Sequence, residues 1–166
     1  MYVELHARSA FSFLEGASLP EILMARCAEL QMPAMALLDR NGLYGAPRFH
    51  ITAEKLGLRA HIGAEIAVGD AGGRVRPPAW VPHHVPVEPV RLALLAESVT
   101  GYQSLCRLIT RYKLREATKG EGAASLTDIQ EHAGGLICLT GGDEGPLASA
   151  LSRGGFDEGV CESKNS

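Results

Sequence analysis

The stretch LHARSAFSFLEGAS (Leu5–Ser18) decides the reading of this chain. A short strand ends on His6, Arg8 stands two residues on, and the chain runs into a polar turn carrying Gly16 ahead of a helix-starting pattern. A His at a strand end before such a loop is where a metal ligand would be built. Its i+2 neighbour here is a guanidinium, which stays protonated and has no lone pair to give. The same juxtaposition recurs further along. AMALLDR (Ala34–Arg40) is a buried-type strand ending in Asp39 and Arg40 before Asn41-Gly42, and RAHIGAEI (Arg59–Ile66) carries Glu65 two residues after Gly63.

Around these stretches strand and helix alternate. A first strand covers Tyr2–Ala7. Ser18 with Glu21 reads as a capping box opening a helix over Leu19–Gln31, which stops before Pro33. After the second strand, Gly45–Leu56 has Phe49, Ala53 and Leu56 on one helical face and Gly57 placed to end it. The third strand follows at once. Gly69–Val90 holds most of the prolines and reads as a long loop or edge excursion. Arg91–Glu97 is a fourth buried-type strand, and Thr100 with Gln103 opens a helix through Glu116. Lys119–Ala124 is a connector, and Ser125 caps a short helix to His132. Gly135–Gly141 forms a fifth strand, and a last helix begins over Gly145–Leu151. Apolar strands separated by helices predict a parallel sheet with chemistry at the strands' carboxyl ends, where His6, Asp39, Glu65 and Gly142 fall.

Composition bounds the function. The 166 residues fit one domain or part of one, 46% are apolar, and the formal net charge is −3. No run reaches the ~18 apolar residues of a membrane span, and no basic then apolar leader follows Met1, so the chain reads as cytoplasmic, with no membrane partner. Cys27, Cys106, Cys138 and Cys161 lie far apart, and the first three sit in apolar patterns expected of reduced core residues. Neither GxGxxG nor GxxxxGK[ST] occurs, so dinucleotide and P-loop binding have no support. His83 and His84 are expected in a solvated loop, His50 on a helix surface, His61 in a strand, and His132 near a helix C-terminus where its charge suits the dipole. Arg107, Arg111, Lys113 and Arg115 make a basic helical end that reads as a solvated face or, alternatively, as contacts to DNA phosphate.

Five ordered stretches carry a resemblance: YVELHARSAFSFLEGAS, ALLDRNGLYG, GLRAHIGAEI, RLALLAESVTGYQSLCRLIT and GGLICLTGGDEGPLA. Together they resemble the amino-terminal PHP (polymerase and histidinol phosphatase) domain of bacterial C-family DNA polymerases, the DNA polymerase III alpha subunit family, and most closely its error-prone, damage-associated branch. The resemblance covers residues 2 to 158. It implies an α/β fold, an incomplete distorted (β/α)7 barrel with parallel strands, with residues 1–158 as a partial PHP domain and 159–166 as a polar, non-family tail from truncation or a frameshift.

What the resemblance implies for the site goes position by position. His6 matches a family ligand, but the second His of that motif is Arg8. Asp39 stands, while the His after it is Arg40. Glu65 matches the ligand glutamate. A His opening the fourth strand is replaced by Arg91, and a Cys after the fifth strand by Gly142. Zn²⁺ needs imidazole, carboxylate or thiolate donors at roughly 2.0–2.3 Å, and fixed cations in those places repel it. No metal is therefore expected; any that bound would use His6, Asp39 and Glu65. Arg8, Arg40 and Arg91 are instead expected to supply positive charge to Asp39 and Glu65. The implied function is a structural or DNA-placing domain of an error-prone, DNA-directed DNA polymerase acting in translesion synthesis and repair. The fragment itself is expected to be inactive and cofactor-free, with Mg²⁺ serving the parent polymerase. Partners implied are the remainder of the polymerase chain, DNA through the parent protein, the sliding clamp and other translesion proteins. The alternative is a metal-dependent phosphoesterase or proofreading exonuclease of the same superfamily.

Overall fold

The computed structural model describes residues 2–69, 89–115, 122–142 and 145–149. The expectations for His83, His84, Cys161, most of Gly69–Val90, the 159–166 tail and the end of the last helix fall outside them. The elements are β1 (Glu4–Ala7), α1 (Pro20–Glu29), β2 (Ala34–Arg40), α2 (Ala46–Leu56), β3 (Arg59–Val68), β4 (Val90–Ala96), α3 (Val99–Arg115), α4 (Leu126–Glu131) and β5 (Leu136–Leu139). They form an α/β fold around one five-stranded sheet in the order β1-β2-β3-β4-β5. The fold class expected from sequence is the one observed.

One feature of the sheet corrects the expectation. β1 pairs parallel with β2, and β2 with β3, but β4 runs antiparallel to both β3 and β5. Neighbouring parallel strands need a crossover of a dozen or more residues, usually a helix. The Pro-rich stretch between β3 and β4 has no helical pattern to supply one. The reversal has a consequence for the site, because it brings the amino end of β4, with Arg91, to the same edge as the carboxyl ends of β1 to β3. A wholly parallel sheet would have put Arg91 at the opposite edge.

The two faces of the sheet are filled differently. On one face, Met35 and Leu37 pack with Met24 and Cys27 of α1 and Phe49 and Ala53 of α2, while Ala64, Ile66, Leu92 and Leu94 pack with Leu105, Leu108, Ile109 and Tyr112 of α3. The other face is strand-only, with Ala36, Leu38, Ala93 and Leu95 as its core and Leu139 beside them. Alternation along each strand assigns residues to these faces. Gly63 shows how tightly this inner layer is built: a Cβ there would lie 2.3 Å from the Leu94 carbonyl oxygen and 3.0 Å from Leu38.

The helix ends follow local chemistry, with two corrections. Ser18 does not cap α1; Leu19 occupies the cap without a side-chain bond, and Pro20 supplies the pre-set φ of a first turn. At α3 the hydroxyl serving the amino end belongs to Ser98, which accepts the Gly101 N–H at 3.2 Å, rather than to Thr100. Ser125 and Asp128 do form a reciprocal capping box, and Gly57 ends α2 at φ 67°. Leu56, expected on the buried face of α2, is exposed. Cys27 is buried, Cys106 half-buried and Cys138 exposed, so only the first matches the expected core role.

Candidate functional site

The inner face of the sheet carries the polar cluster because period-2 alternation puts His6, Arg8, Arg40, Glu65 and Arg91 on that side. The register aligns Arg40 with Glu65, and Glu65 with Ala93. Asp39, adjacent to Arg40, is turned to the opposite, helix-covered face. The expected convergence of His6, Asp39 and Glu65 therefore holds only in part: His6 Nε2 touches Glu65 Oε1, and Asp39 stands apart.

Asp39 is held by hydroxyls instead of arginines. Ser9 donates its N–H to Oδ1 at 2.8 Å and its hydroxyl lies 2.8 Å from both carboxylate oxygens, while the Ser12 hydroxyl donates to Oδ1 at 2.9 Å. Asp39 is 1% exposed, and a Cβ at Gly45 would lie 2.8 Å from its Oδ2. Its carboxylate is thus committed to tying the loop after β1 onto the end of β2. Arg40 contributes to the same tie by donating its backbone N–H to the Ser12 hydroxyl at 3.0 Å. The expectation of an Asp39 to arginine pair is replaced by this Ser9 and Ser12 cage.

Among the described residues, three guanidiniums meet two carboxylates, and one of those carboxylates was not anticipated from sequence. Arg8 Nη2 donates to Glu65 Oε1 at 2.8 Å, and Arg91 Nη1 lies 3.8 Å from Glu65 Oε2. The new member is Glu15. It accepts two parallel bonds from Arg91, at 2.8 and 3.0 Å, one from Arg8 at 3.2 Å, and one from Arg40. Fork-to-fork pairing of this kind suits guanidinium and carboxylate geometry. The Arg91 side chain is 4% exposed and that of Glu65 3%, so these charges sit where water screens them little. A signal for Glu15 existed in the sequence: with Asp39 and Glu65 as the only acids considered, three arginines left a cation unbalanced, and Glu15 lies in the loop beside them.

Burial works against the charged form of Glu65, yet the bonds from His6 and Arg8 outweigh it and hold the carboxyl below its ordinary range. Glu15 follows the same balance, with burial opposed more strongly by Arg91, Arg40 and Arg8. Both remain ionised at neutral pH. Beside them His6, Arg8, Glu65, Arg91, Ala93, Gly141, Gly142 and Gly145 line a cleft of about 290 Å³. Gly142 brings no donor atom to it, although a Cβ there would meet nothing within 4 Å.

The remaining candidates lie elsewhere. Of the basic end of α3, Arg111 pairs with Asp128 at 2.9 Å and with Glu131, Arg115 pairs with Asp128 at 2.6 Å, and Lys113 Nζ donates to the Tyr44 hydroxyl at 2.7 Å. These three charges serve the junction of α3 with α4 and with the loop after β2. Arg107 lies on the same helix. His50 faces Glu54 on the surface of α2, and His132 Nδ1 sits 2.8 Å from the Asp128 carbonyl oxygen.

A family model for the PHP domain matches residues 4–163. The chain belongs to the PHP domain family. Among curated relatives, the error-prone DNA polymerase of Mycolicibacterium paratuberculosis is 41% identical over 157 residues, which is 94% of this chain and 14% of that protein. The error-prone DNA polymerase of Anaeromyxobacter sp. (strain K) is 41% identical over 159 residues, covering 90% and 13% respectively. The chain thus spans about a seventh of the length of the relatives it matches. This PHP domain corresponds to their amino-terminal region. Among solved structures, an amidohydrolase from Chromobacterium violaceum aligns at a TM-score of 0.47 and 19% identity, covering 69% of this chain and 34% of the other.

The resemblance implies metal ligands at these positions, and the donors present do not fit a metal ion. Among the described residues no three His, Cys, Asp or Glu side chains gather where an ion could be held. Asp39 has both oxygens engaged by serines, and Glu65 faces the cations of Arg8 and Arg91 where a metal would have to stand.

Proposed function

We propose that this PHP domain is part of an error-prone DNA polymerase and acts there as a structural module whose metal site has been rebuilt as an ion-pair lattice. The observation that carries the reading is the placement of Arg8, Arg40 and Arg91 around Glu15, with Arg8 also on Glu65. In a hydrolytic site, metal ions would bind and polarise a phosphoester and deliver the attacking water. Here, among the described residues, protein cations take that electrostatic role toward the protein's own acids Glu15 and Glu65. The lattice joins the β1–α1 loop to β2, β3 and β4, so it braces this end of the sheet. Within such a polymerase the module is soluble and cytoplasmic and contributes to translesion synthesis through the rest of the chain, which would hold the Mg²⁺-dependent chemistry and the contacts to DNA and the sliding clamp. No helix among the described residues is long and apolar enough to cross a membrane.

The test pairs a hydrolysis assay with a chimera. The purified chain, given Mn²⁺ and either a phosphomonoester or a primer–template, is expected to release neither phosphate nor nucleotide. A Mycolicibacterium paratuberculosis polymerase carrying this chain in place of its own matching segment is expected to extend primers. Chelator-sensitive hydrolysis by the isolated chain would overturn the structural reading in favour of the phosphoesterase one.

A further inference from the structure

The loop between β1 and α1 holds two large apolar side chains in water. Phe13 is 80% exposed and Leu14 89%. Their neighbours on both sides are fixed. Ser12 is 1% exposed and bonded to Asp39, and Glu15 is clasped by Arg8, Arg40 and Arg91. Backbone bonds from Ser12 to Ser9, from Glu15 to Ser12 and from Ala10 to Ser18, at 2.8 to 2.9 Å, close the loop on itself. Gly16 is required for that closure, since a Cβ there would lie 2.0 Å from the Ser9 carbonyl oxygen.

Leu14 has φ 65°, in the left-handed region. For a residue with a branched apolar side chain this conformation is disfavoured by roughly 1–2 kcal/mol, and it persists only where the surroundings enforce it. The enforced result is an exposed Phe-Leu pair on a rigid base, ordered before any partner arrives, which lowers the entropy cost of docking. A nucleic-acid partner is disfavoured by charge. The arginines under the tip are already matched to Glu15 and Glu65, whereas a strand-binding surface combines aromatic platforms with cations turned to phosphate.

We infer that Phe13 and Leu14 form an apolar anchor that docks into an apolar pocket on the remainder of an error-prone DNA polymerase chain. The inference rests on the function proposed above, and the occupant follows from length: the relatives carry this segment as only 14% of a longer chain, so the rest of that chain is the surface always within reach. The lattice then has a second task. By clamping Glu15 it aims the anchor.

Leu14→Asn separates this role from a purely local one. Asn adopts left-handed φ more readily than Leu, so the isolated chain should keep or gain stability, while the anchor is lost. Hydrogen exchange is read at amides 11–16 in the isolated chain and in the polymerase chimera. Exchange is expected to slow at least tenfold in the chimera, and Leu14→Asn or Phe13→Ser should return it to the isolated rate. Equal exchange in chimera and isolated chain, or slow exchange that survives both substitutions, overturns the anchor while an active chimera leaves the proposed function standing. A chimera that neither folds nor extends primers overturns both. A dimer of the isolated chain that both substitutions dissolve assigns the anchor to a second copy and overturns the proposed occupant.

Discussion

Replacing Glu15 by Gln keeps the shape of the side chain and removes the charge on which three arginines converge. Arg91 suffers most. Its side chain is 4% exposed, and Glu15 accepts two of its bonds, at 2.8 and 3.0 Å, while Glu65 Oε2 lies 3.8 Å away. Leaving a buried charge without its partner costs about 3–5 kcal/mol, whereas an exposed pair is worth about 0–1 kcal/mol. Glu15, at 18% side-chain exposure, lies between these limits but nearer the buried one, so the expected loss is about 2–4 kcal/mol. Chemical denaturation of the whole chain measures it as a fall in the transition midpoint at constant slope, and each kcal/mol should lower Tm by about 2–4 °C. Arg40, with a 34% exposed side chain, supplies a control: Arg40→Gln should cost well under half as much. A loss below about 0.5 kcal/mol for Glu15→Gln would mean the lattice is surface decoration and the reasoning is wrong.

Glu65→Gln should cost at least as much as Glu15→Gln in the same unfolding experiment, because the Glu65 side chain is only 3% exposed. Asp128 gives a pH window: burial opposes its charge, but Arg115 and Ser125 outweigh that and bring the carboxyl from 3.8 to about 2. Its folded pKa lies below its unfolded one, so its contribution is present above about pH 4 and is lost as pH falls toward 2; Asp128→Asn should flatten the stability profile across that interval. Gly63→Ala should destabilise the fold by roughly 1–3 kcal/mol, because the added Cβ meets a backbone carbonyl of β4 that cannot rotate away. Arg115→Ala should lower stability and leave DNA affinity at fixed salt unchanged, since its charge is spent on Asp128; a drop in DNA affinity without loss of stability would refute that assignment.

Why some features were legible in the sequence and others were not is a matter of range. Periodicity placed all five strands within a few residues, because alternation and apolar runs are local. The direction of β4 depends on how the chain returns, and the only local sign of it is that the Pro-rich stretch before β4 has no helical pattern to serve as a crossover. His6, Glu65 and Arg91 could be named from the family motifs, but Asp39 and Arg40 illustrate what a motif hides: adjacent strand residues face opposite sides, so they cannot both join the cluster. Glu15 was missed because loop residues carry no periodicity. Only the charge imbalance among three arginines pointed to it. The helix starts went wrong at Ser18 and Thr100, where a matching residue type lay one or two positions from the actual boundary.

Metal content tests the central claim most directly. The chain, incubated with Zn²⁺ and Mn²⁺ and dialysed without chelator, should hold well under one ion per molecule by elemental analysis, and its Tm should not rise with either metal. One or more tightly held ions per chain, with a metal-dependent rise in Tm, would contradict the account, because the space assigned to Arg8 and Arg91 beside Glu65 would then belong to a metal.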